Sequence, residues 1–394
     1  MSASVASARQ MARVGRGYLA DVVRRPAART AGQIPTAPER VTDEWLTATL
    51  CRGTGARVRS HRLEPISRGS TVRSRLVLEY EGADGVDEQT LPPTVFVKAT
   101  STFLTRLQVG ATGGMSGEVR FYDRIGPSTP ILAPTGYHGV CDRRSGRSIL
   151  LLEDLARTRD VTFGEVRSTL DRAHAEALVR SLAVVHGCLE GSPRFAGDLR
   201  WVLSSRRLQE VLNTYVDSEG RSVAGLDLAG DVIPAPLRAL RSRLHGYRMR
   251  ALELDDHCPV GLVHHDVHAG NWFATADGRM GLFDWSAYAR GQGPRDVAYA
   301  LMSSLTIADR RAWERELLAL YAAELSEVSG SPHDPAATWT AYRQQTLHGL
   351  CFWLATLGSG SLQPKMQPDD VSMVNIERMA QAVVDLDTFT ALDH

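Results

Sequence analysis

Three oxygen-bearing side chains stand close together late in the chain: Asp266, Asn271 five residues on, and Asp284. A carboxylate, an amide and a second carboxylate form the donor set of a magnesium-nucleotide site, because hard Mg2+ takes oxygen ligands and keeps several waters. The carboxylate not spent on the ion is then free to act as a base. Taken singly, Asp and Asn also serve as turn and cap residues. The stretch His264-His265-Asp266-Val267-His268 crowds metal-ligand side chains into five positions, which opens a rival reading: a zinc or iron hydrolase built on His264 and His268.

The elements around these residues follow from hydrophobic pattern. Leu262-Val263 and Met280 to Phe283 read as two short strands flanking a turn at Ala276-Asp277-Gly278, so that one hairpin presents all three groups. Upstream, Thr42 is placed to cap a short helix carrying Trp45, Leu46 and Leu50. Leu76 to Tyr80, Thr94 to Lys98 and the apolar run Ser148 to Leu152 read as strands. Val119, Tyr122 and Ile125 are spaced to share one face of a helix. Beyond residue 160 the text turns helical, with Leu178, Leu182, Val185 and Leu189 on one stripe and His186 a packed structural histidine.

With these residues in place, HHDVHAGN (His264 to Asn271) followed by Asp284 resembles the catalytic and metal-binding loops of the aminoglycoside phosphotransferase and choline kinase-like branch of the protein-kinase-like superfamily. Similarity runs from about Trp45 to Asp387. Glu118 to Tyr122, Leu151 to Leu155, and Asp284-Trp285 with Gly293 to Tyr299 look most like the ecdysteroid kinase-like (CHK-like) subgroup. The resemblance implies an α+β, protein-kinase-like two-lobed fold, with a small antiparallel-sheet N-lobe and a larger helical C-lobe. Residues 1–41 read from their composition as a basic arm, and the resemblance implies the N-lobe with its hinge over 42–155 and the helical lobe over 156–394. It further implies Mg2+- and ATP-dependent phosphorylation of a hydroxyl on a small molecule, whether metabolite, xenobiotic or antibiotic. The alternative within the same fold is a catalytically silent, kinase-like module that only binds nucleotide.

Carried over by the resemblance, Asp266 is the catalytic base and Asn271 and Asp284 hold Mg2+. Lys98 holds ATP phosphates and Glu118, twenty residues later, holds Lys98. The backbone C=O of Glu153 and N–H of Leu155 meet the adenine edge. His264 braces the catalytic loop, and Asp296 anchors its surroundings. At the phosphate loop the chain departs from the glycine-rich kinase pattern: SRGSTVRS (Ser67 to Ser74) has only Gly69, so Ser70 and Thr71 are the expected phosphate donors. Arg73 and Arg75 are either phosphate ligands or solvated strand charges. For the acceptor, six carboxylates in residues 365–394 suit an aminoglycoside or simply a solvated helix face. Trp272, Trp285, Tyr288 and Trp353 suit an apolar sterol- or lipid-like alcohol or ordinary core packing.

Composition narrows the partners. Forty-five basic and 45 acidic side chains cancel over 394 residues, so no global field attracts nucleic acid. Lysine occurs only at Lys98 and Lys365, the remaining cations being arginine, which singles out Lys98. Five scattered cysteines without a CxxC pair favour a reducing, cytoplasmic setting over a disulfide scaffold. No apolar run reaches the length of a spanning helix. The first 40 residues hold seven arginines against Asp21 and Glu39. They read as a loosely docked arm, as a transit-peptide-like start, or as a basic amphipathic helix over residues 6–25 making weak surface contact.

Overall fold

The computed structural model describes residues 3–24, 26–68, 71–82, 85–360 and 367–393, with backbone alone for residues 3–10, 68 and 108–112. The chain forms two compact units, Met1–Ser128 with Ala133–Asp160, and Thr129–Leu132 with Val161–His394.

The first unit is built on five antiparallel strands, β1 (Arg57–Arg68), β2 (Val72–Glu81), β3 (Thr94–Ala99), β4 (Gly136–Asp142) and β5 (Arg147–Glu153), in the order β1-β2-β3-β5-β4. Period-two alternation determines which face each side chain takes. Leu76 and Leu78 of β2, Val95 and Val97 of β3, and Ile149 and Leu151 of β5 turn into one core. Helix α1 (Ala3–Arg24) opens the unit, and α2 (Asp43–Leu50) closes this core with Trp45 and Leu46, both fully buried. Thr42 caps α2 as its type and position predict, its Oγ1 accepting the Trp45 N–H at 3.1 Å. The Trp45 indole N–H, which burial would otherwise strand, donates to the Gln33 carbonyl at 2.9 Å. Helices α3 (Phe103–Thr112) and α4 (Gly114–Arg120) follow β3; a π-turn, Phe121–Ile125, continues α4 and buries Tyr122 and Ile125. The unit ends in a single turn, α5 (Leu155–Thr158).

The second unit is mainly helical: α6 (Arg172–Gly187), α7 (Ser205–Val216), α8 (Ser218–Ala229), α9 (Ala235–Ala239), α10 (Leu244–Glu253), α11 (Pro294–Ser304), α12 (Ile307–Ser329), α13 (Pro335–Gln344), α14 (Leu347–Leu357), α15 (Asp369–Asp385) and α16 (Thr388–Asp393). Leu178, Leu182, Val185 and Leu189 are buried along one stripe. Among the described residues no helix is long and apolar enough to cross a membrane.

Five short strands accompany these helices: β6 (Val161–Phe163), β7 (Gly261–Val263), β8 (Trp272–Thr275), β9 (Met280–Leu282) and β10 (Ala289–Gly291). Here the structure corrects the sequence reading. The hairpin turning at Ala276 to Gly278 joins β8 to β9, whereas β7 pairs with β10 in a separate ladder. Trp272 and Phe273 were overlooked as strand residues because they follow the polar loop directly, while Leu262-Val263 has the same apolar look as a hairpin arm. Gly278, at φ +81°, supplies the left-handed turn position that β8–β9 needs.

Candidate active site

The second unit contributes a loop, His264 to Asn271, between β7 and β8. Its backbone is tied down from below by Asp296, in the first turn of α11 and fully buried. Asp296 Oδ2 accepts the His264 N–H at 2.5 Å and Oδ1 accepts the His265 N–H at 3.0 Å. His186 Nε2 lies 3.3 Å from Asp296 Oδ2, and His186 Nδ1 is 2.7 Å from the Tyr321 hydroxyl. Burial by itself would raise the Asp296 carboxyl, but the His186 and backbone donors outweigh it and hold the group below its ordinary range.

Within the loop each histidine has a defined job. Burial pushes the His264 imidazole below its usual range. The neutral ring accepts the Asp266 N–H at Nδ1 (3.3 Å) and donates from Nε2 to the Phe283 carbonyl (3.1 Å), joining the loop to the end of β9. His265 sits at φ +69°, a left-handed conformation that costs a non-glycine residue about 1–2 kcal/mol. Its ring meets Ser205 Oγ at 2.8 Å, and Arg295 Nη1 donates to the same oxygen at 2.6 Å. His268 Nδ1 accepts the Gly270 N–H at 3.0 Å. Both His264 nitrogens and His268 Nδ1 are therefore committed to backbone partners. Among the described residues no three His, Cys, Asp or Glu side chains gather as a metal centre. The hydrolase reading on His264 and His268 is corrected accordingly.

Asp266 is gripped at both carboxylate oxygens. Tyr299, one helical turn beyond Asp296 on α11, donates its hydroxyl to Oδ1 at 3.1 Å. Asn271 donates its amide to Oδ2 at 3.1 Å and to the Asp266 backbone carbonyl at 2.8 Å. Spending both amide N–H groups this way leaves Asn271 Oδ1, its one oxygen, for a cation. The Phe283 N–H donates to the Asn271 carbonyl at 3.1 Å, so Asn271 and Asp284 flank the same end of the β8–β9 hairpin. Asp284 takes a left-handed φ of +64°, a strained conformation of the kind that collects at functional sites. An amide oxygen and a carboxylate suit Mg2+, which fills its other positions with water and phosphate.

The first unit, by itself, holds a second group of predicted residues. Lys98, at 5% exposure in β3, reaches Glu118 of α4 with Nζ 3.0 Å from Oε1 and 2.8 Å from Oε2. Thr71, just before β2, is buried, and its Oγ1 hydrogen-bonds to no described residue. Ser70 lies outside the described residues. The Glu153 side chain is held by Arg159, through Nε–Oε1 and Nη2–Oε2 contacts of 2.6 Å, and by the Thr135 N–H at 3.0 Å. Burial opposes that carboxylate, yet these bonds keep it below its ordinary range. Leu155 opens the single turn α5, where first-turn N–H groups have no partner inside the helix. Arg75 is committed to Asp154 and Glu64, which removes it from the phosphate candidates.

Tyr299 is the site residue that sequence reading missed. Its spacing of three from Asp296 puts the two on one helix face, a signal open to anyone who asked what else α11 turns toward the loop. The acceptor candidates are also revised. Trp272, Trp285 and Trp353 are all at most 2% exposed and belong to the core. Of the C-terminal carboxylates, Asp370 pairs with Arg167, Asp385 with Arg310 and Arg311, and Asp393 with Arg250.

A model of the phosphotransferase enzyme family matches residues 85–331, more than half the chain and inclusive of Lys98, Glu118 and the whole loop. The chain belongs to that family. A choline kinase from Cryptosporidium parvum Iowa II superposes with a TM-score of 0.51 at 12% identity, over 84% of this chain and 91% of its own, which shows the protein-kinase-like α+β fold. A choline kinase from Streptococcus pneumoniae (TM-score 0.45, 13% identity, 82% and 93% covered) is also similar. So is a spectinomycin phosphotransferase solved with ADP and spectinomycin (0.43, 11%, 84% and 94%). Curated protein sequences contain no match. By its family this chain is a phosphotransferase enzyme.

Proposed function

We propose that this phosphotransferase moves the terminal phosphoryl group of ATP to a hydroxyl of a small organic molecule, with Asp266 as the base. The grip on Asp266 supports this reading best: Tyr299 on one oxygen and Asn271 on the other orient a carboxylate beside an oxygen-donor pair suited to a cation. The acceptor oxygen forms its bond to phosphorus as the bond from phosphorus to the bridging oxygen breaks. The acceptor proton passes to Asp266, and ADP leaves. Mg2+ bound by Asn271 and Asp284 would supply neutralisation of phosphate charge.

Further roles belong to the same proposal. Lys98 holds the α- and β-phosphates and Glu118 orients Lys98. Ser70 and Thr71 donate to phosphate, the Thr71 hydroxyl, which has no hydrogen-bond partner among the described residues, supporting that role. The Glu153 carbonyl and Leu155 N–H meet adenine. Five free cysteines accord with the cytoplasm, where ATP is plentiful. The ecdysteroid kinase-like reading rests on Glu118 to Tyr122, Leu151 to Leu155, and Asp284-Trp285 with Gly293 to Tyr299, and it keeps hydroxylated sterols among the acceptors worth testing.

The test is ADP release across a panel of choline, spectinomycin and hydroxylated sterols, for wild type and Asp266→Asn. Acceptor-dependent turnover reduced about 10²- to 10⁴-fold in Asp266→Asn is the expected result. Equal turnover in the two proteins would remove Asp266 as the base. Nucleotide binding with no turnover on any acceptor would favour the silent binding module.

A further inference from the structure

Helix α1 offers two different faces. The inward face is fastened to its own unit. Val14 is fully buried, and the buried Asp21 carboxylate takes the Arg106 guanidinium of α3 and lies 3.5 Å from Arg147 Nε. That guanidinium sits 5.2 Å over the Tyr18 ring. Gly17 packs on the turn between β4 and β5 so closely that a Cβ there would come 2.9 Å from Ser145 Cβ. The segment is a docked helix, which corrects the loose-arm reading, and its outward face is held in a constant orientation on the sheet unit.

That outward face is apolar and basic together. Leu19 is 65% exposed and Val23 80%, with Met11 and Val22 about half exposed beside them (46% and 51%). Arg13, Arg16 and Arg24 are exposed on the same helix, and Arg143 and Arg144 are exposed on the β4–β5 turn that Gly17 touches. Acid is absent from the surface of α1: Asp21 is its sole carboxylate among residues 3–24 and is spent inward. On the turn, Asp142 is occupied by the Arg144 N–H at 2.9 Å and the Ser145 hydroxyl at 2.6 Å.

We propose that this face is a docking surface for an anionic lipid membrane, with α1 lying in the headgroup layer. The exposed Leu and Val side chains enter the acyl boundary while the arginines reach lipid phosphates and carboxylates. Each half of the pattern selects the occupant. A nucleic acid has no use for Leu19 and Val23, and a second copy meeting this face about a two-fold axis would set arginine against arginine. The proposal concerns where the enzyme resides and is independent of the reading of its active site.

Vesicle sedimentation of the full-length protein tests it. Vesicles of phosphatidylcholine with phosphatidylserine should carry the protein down and phosphatidylcholine alone should not. Salt at about 1 M, where screening acts within about 3 Å, should release it. Arg13→Gln, Arg16→Gln and Arg24→Gln should each lower partitioning about fivefold, and the triple variant on the order of 100-fold. Leu19→Glu with Val23→Glu should abolish partitioning without moving the thermal midpoint, since both side chains already face solvent. Equal sedimentation with both vesicle types, none with either, or full retention by the Leu19→Glu/Val23→Glu variant overturns the proposal. A concentration-dependent dimer lost in that variant, without vesicle binding, would assign the face to a second copy and overturn it equally.

Discussion

Tyr299 holds one oxygen of Asp266 through a single hydroxyl, so its removal isolates positioning from proton transfer. Tyr299→Phe keeps the ring, which packs edge-on to His348 at 5.9 Å, and deletes the hydroxyl that donates to Oδ1. Hydrogen bonds to charged groups contribute about 1.5–3 kcal/mol. Steady-state kinetics should therefore show kcat lowered about tenfold, part of that contribution being felt in the transition state, with KM for ATP unchanged. An unchanged kcat beside an inactive Asp266→Asn would dismiss Tyr299 while leaving the base in place. A pH effect arises deeper in the same unit. Burial presses the His348 pKa down to about 3, and the His265 imidazole is likewise driven far below its ordinary range. The unfolded chain takes up these protons near the ordinary histidine value and the folded chain does not. Stability is therefore complete above about pH 6.5 and falls as pH drops toward the folded values, by about 1.4 kcal/mol per unit per histidine. Denaturant midpoints at about pH 7 and pH 5 should show this fall, and His348→Gln should reduce its slope. Residue types and order alone pointed to Asp266, Asn271 and Asp284. The Tyr299 partner, 33 residues away, was hidden because a tyrosine in an apolar helix reads as core until its hydroxyl is located.

Elements carry the next level of specification. Helices α8 and α14 cross at Gly225, where a Cβ would fall 1.9 Å from the Leu354 carbonyl oxygen. Gly225→Ala must push the helices apart, and α14 bears His348, whose Nε2 lies 2.9 Å from the His265 carbonyl. The expected outcome is a loss of about 1–3 kcal/mol in denaturant unfolding, together with reduced activity. Wild-type stability would mean that the crossing relaxes freely. The hairpin teaches a related lesson about legibility. A turn at Ala276-Asp277-Gly278 was readable from local preferences, since glycine is the residue that accepts φ +81°. Which strand enters that turn was decided by register, Trp272 opposite Leu282 and Ala274 opposite Met280. A three-residue apolar run such as Gly261–Val263 has no local feature to distinguish pairing with β9 from pairing with β10.

At the scale of the molecule, the chain invests in two cores, and ligand binding should be visible in unfolding. ATP with Mg2+ at about 100 times its dissociation constant should add about 2.7 kcal/mol to wild-type stability. Asp284→Ala should lose the magnesium-dependent part of the thermal shift, and Lys98→Ala should weaken the shift with or without metal. A full magnesium-dependent shift in Asp284→Ala would overturn its assignment as a metal holder. The short run Thr129–Leu132 illustrates what chain order conceals: it leaves the sheet unit and joins the helical one, where the Leu282 N–H donates to the Leu132 carbonyl at 3.0 Å. The amino-acid sequence by itself determined the features that act over a few residues: the Thr42 cap, the alternating strands, the stripe on α6, and the order of Asp266, Asn271 and Asp284 along the chain. These depend on backbone preference and side-chain period, which need no distant partner. Tertiary structure alone decided which strand closes the hairpin, that Tyr299 grips Asp266, and that α1 docks through Asp21 and Arg106. The last two of these outcomes join groups 33 and 85 residues apart. Such pairings become favourable only when a shared core brings the groups together and strips them of water.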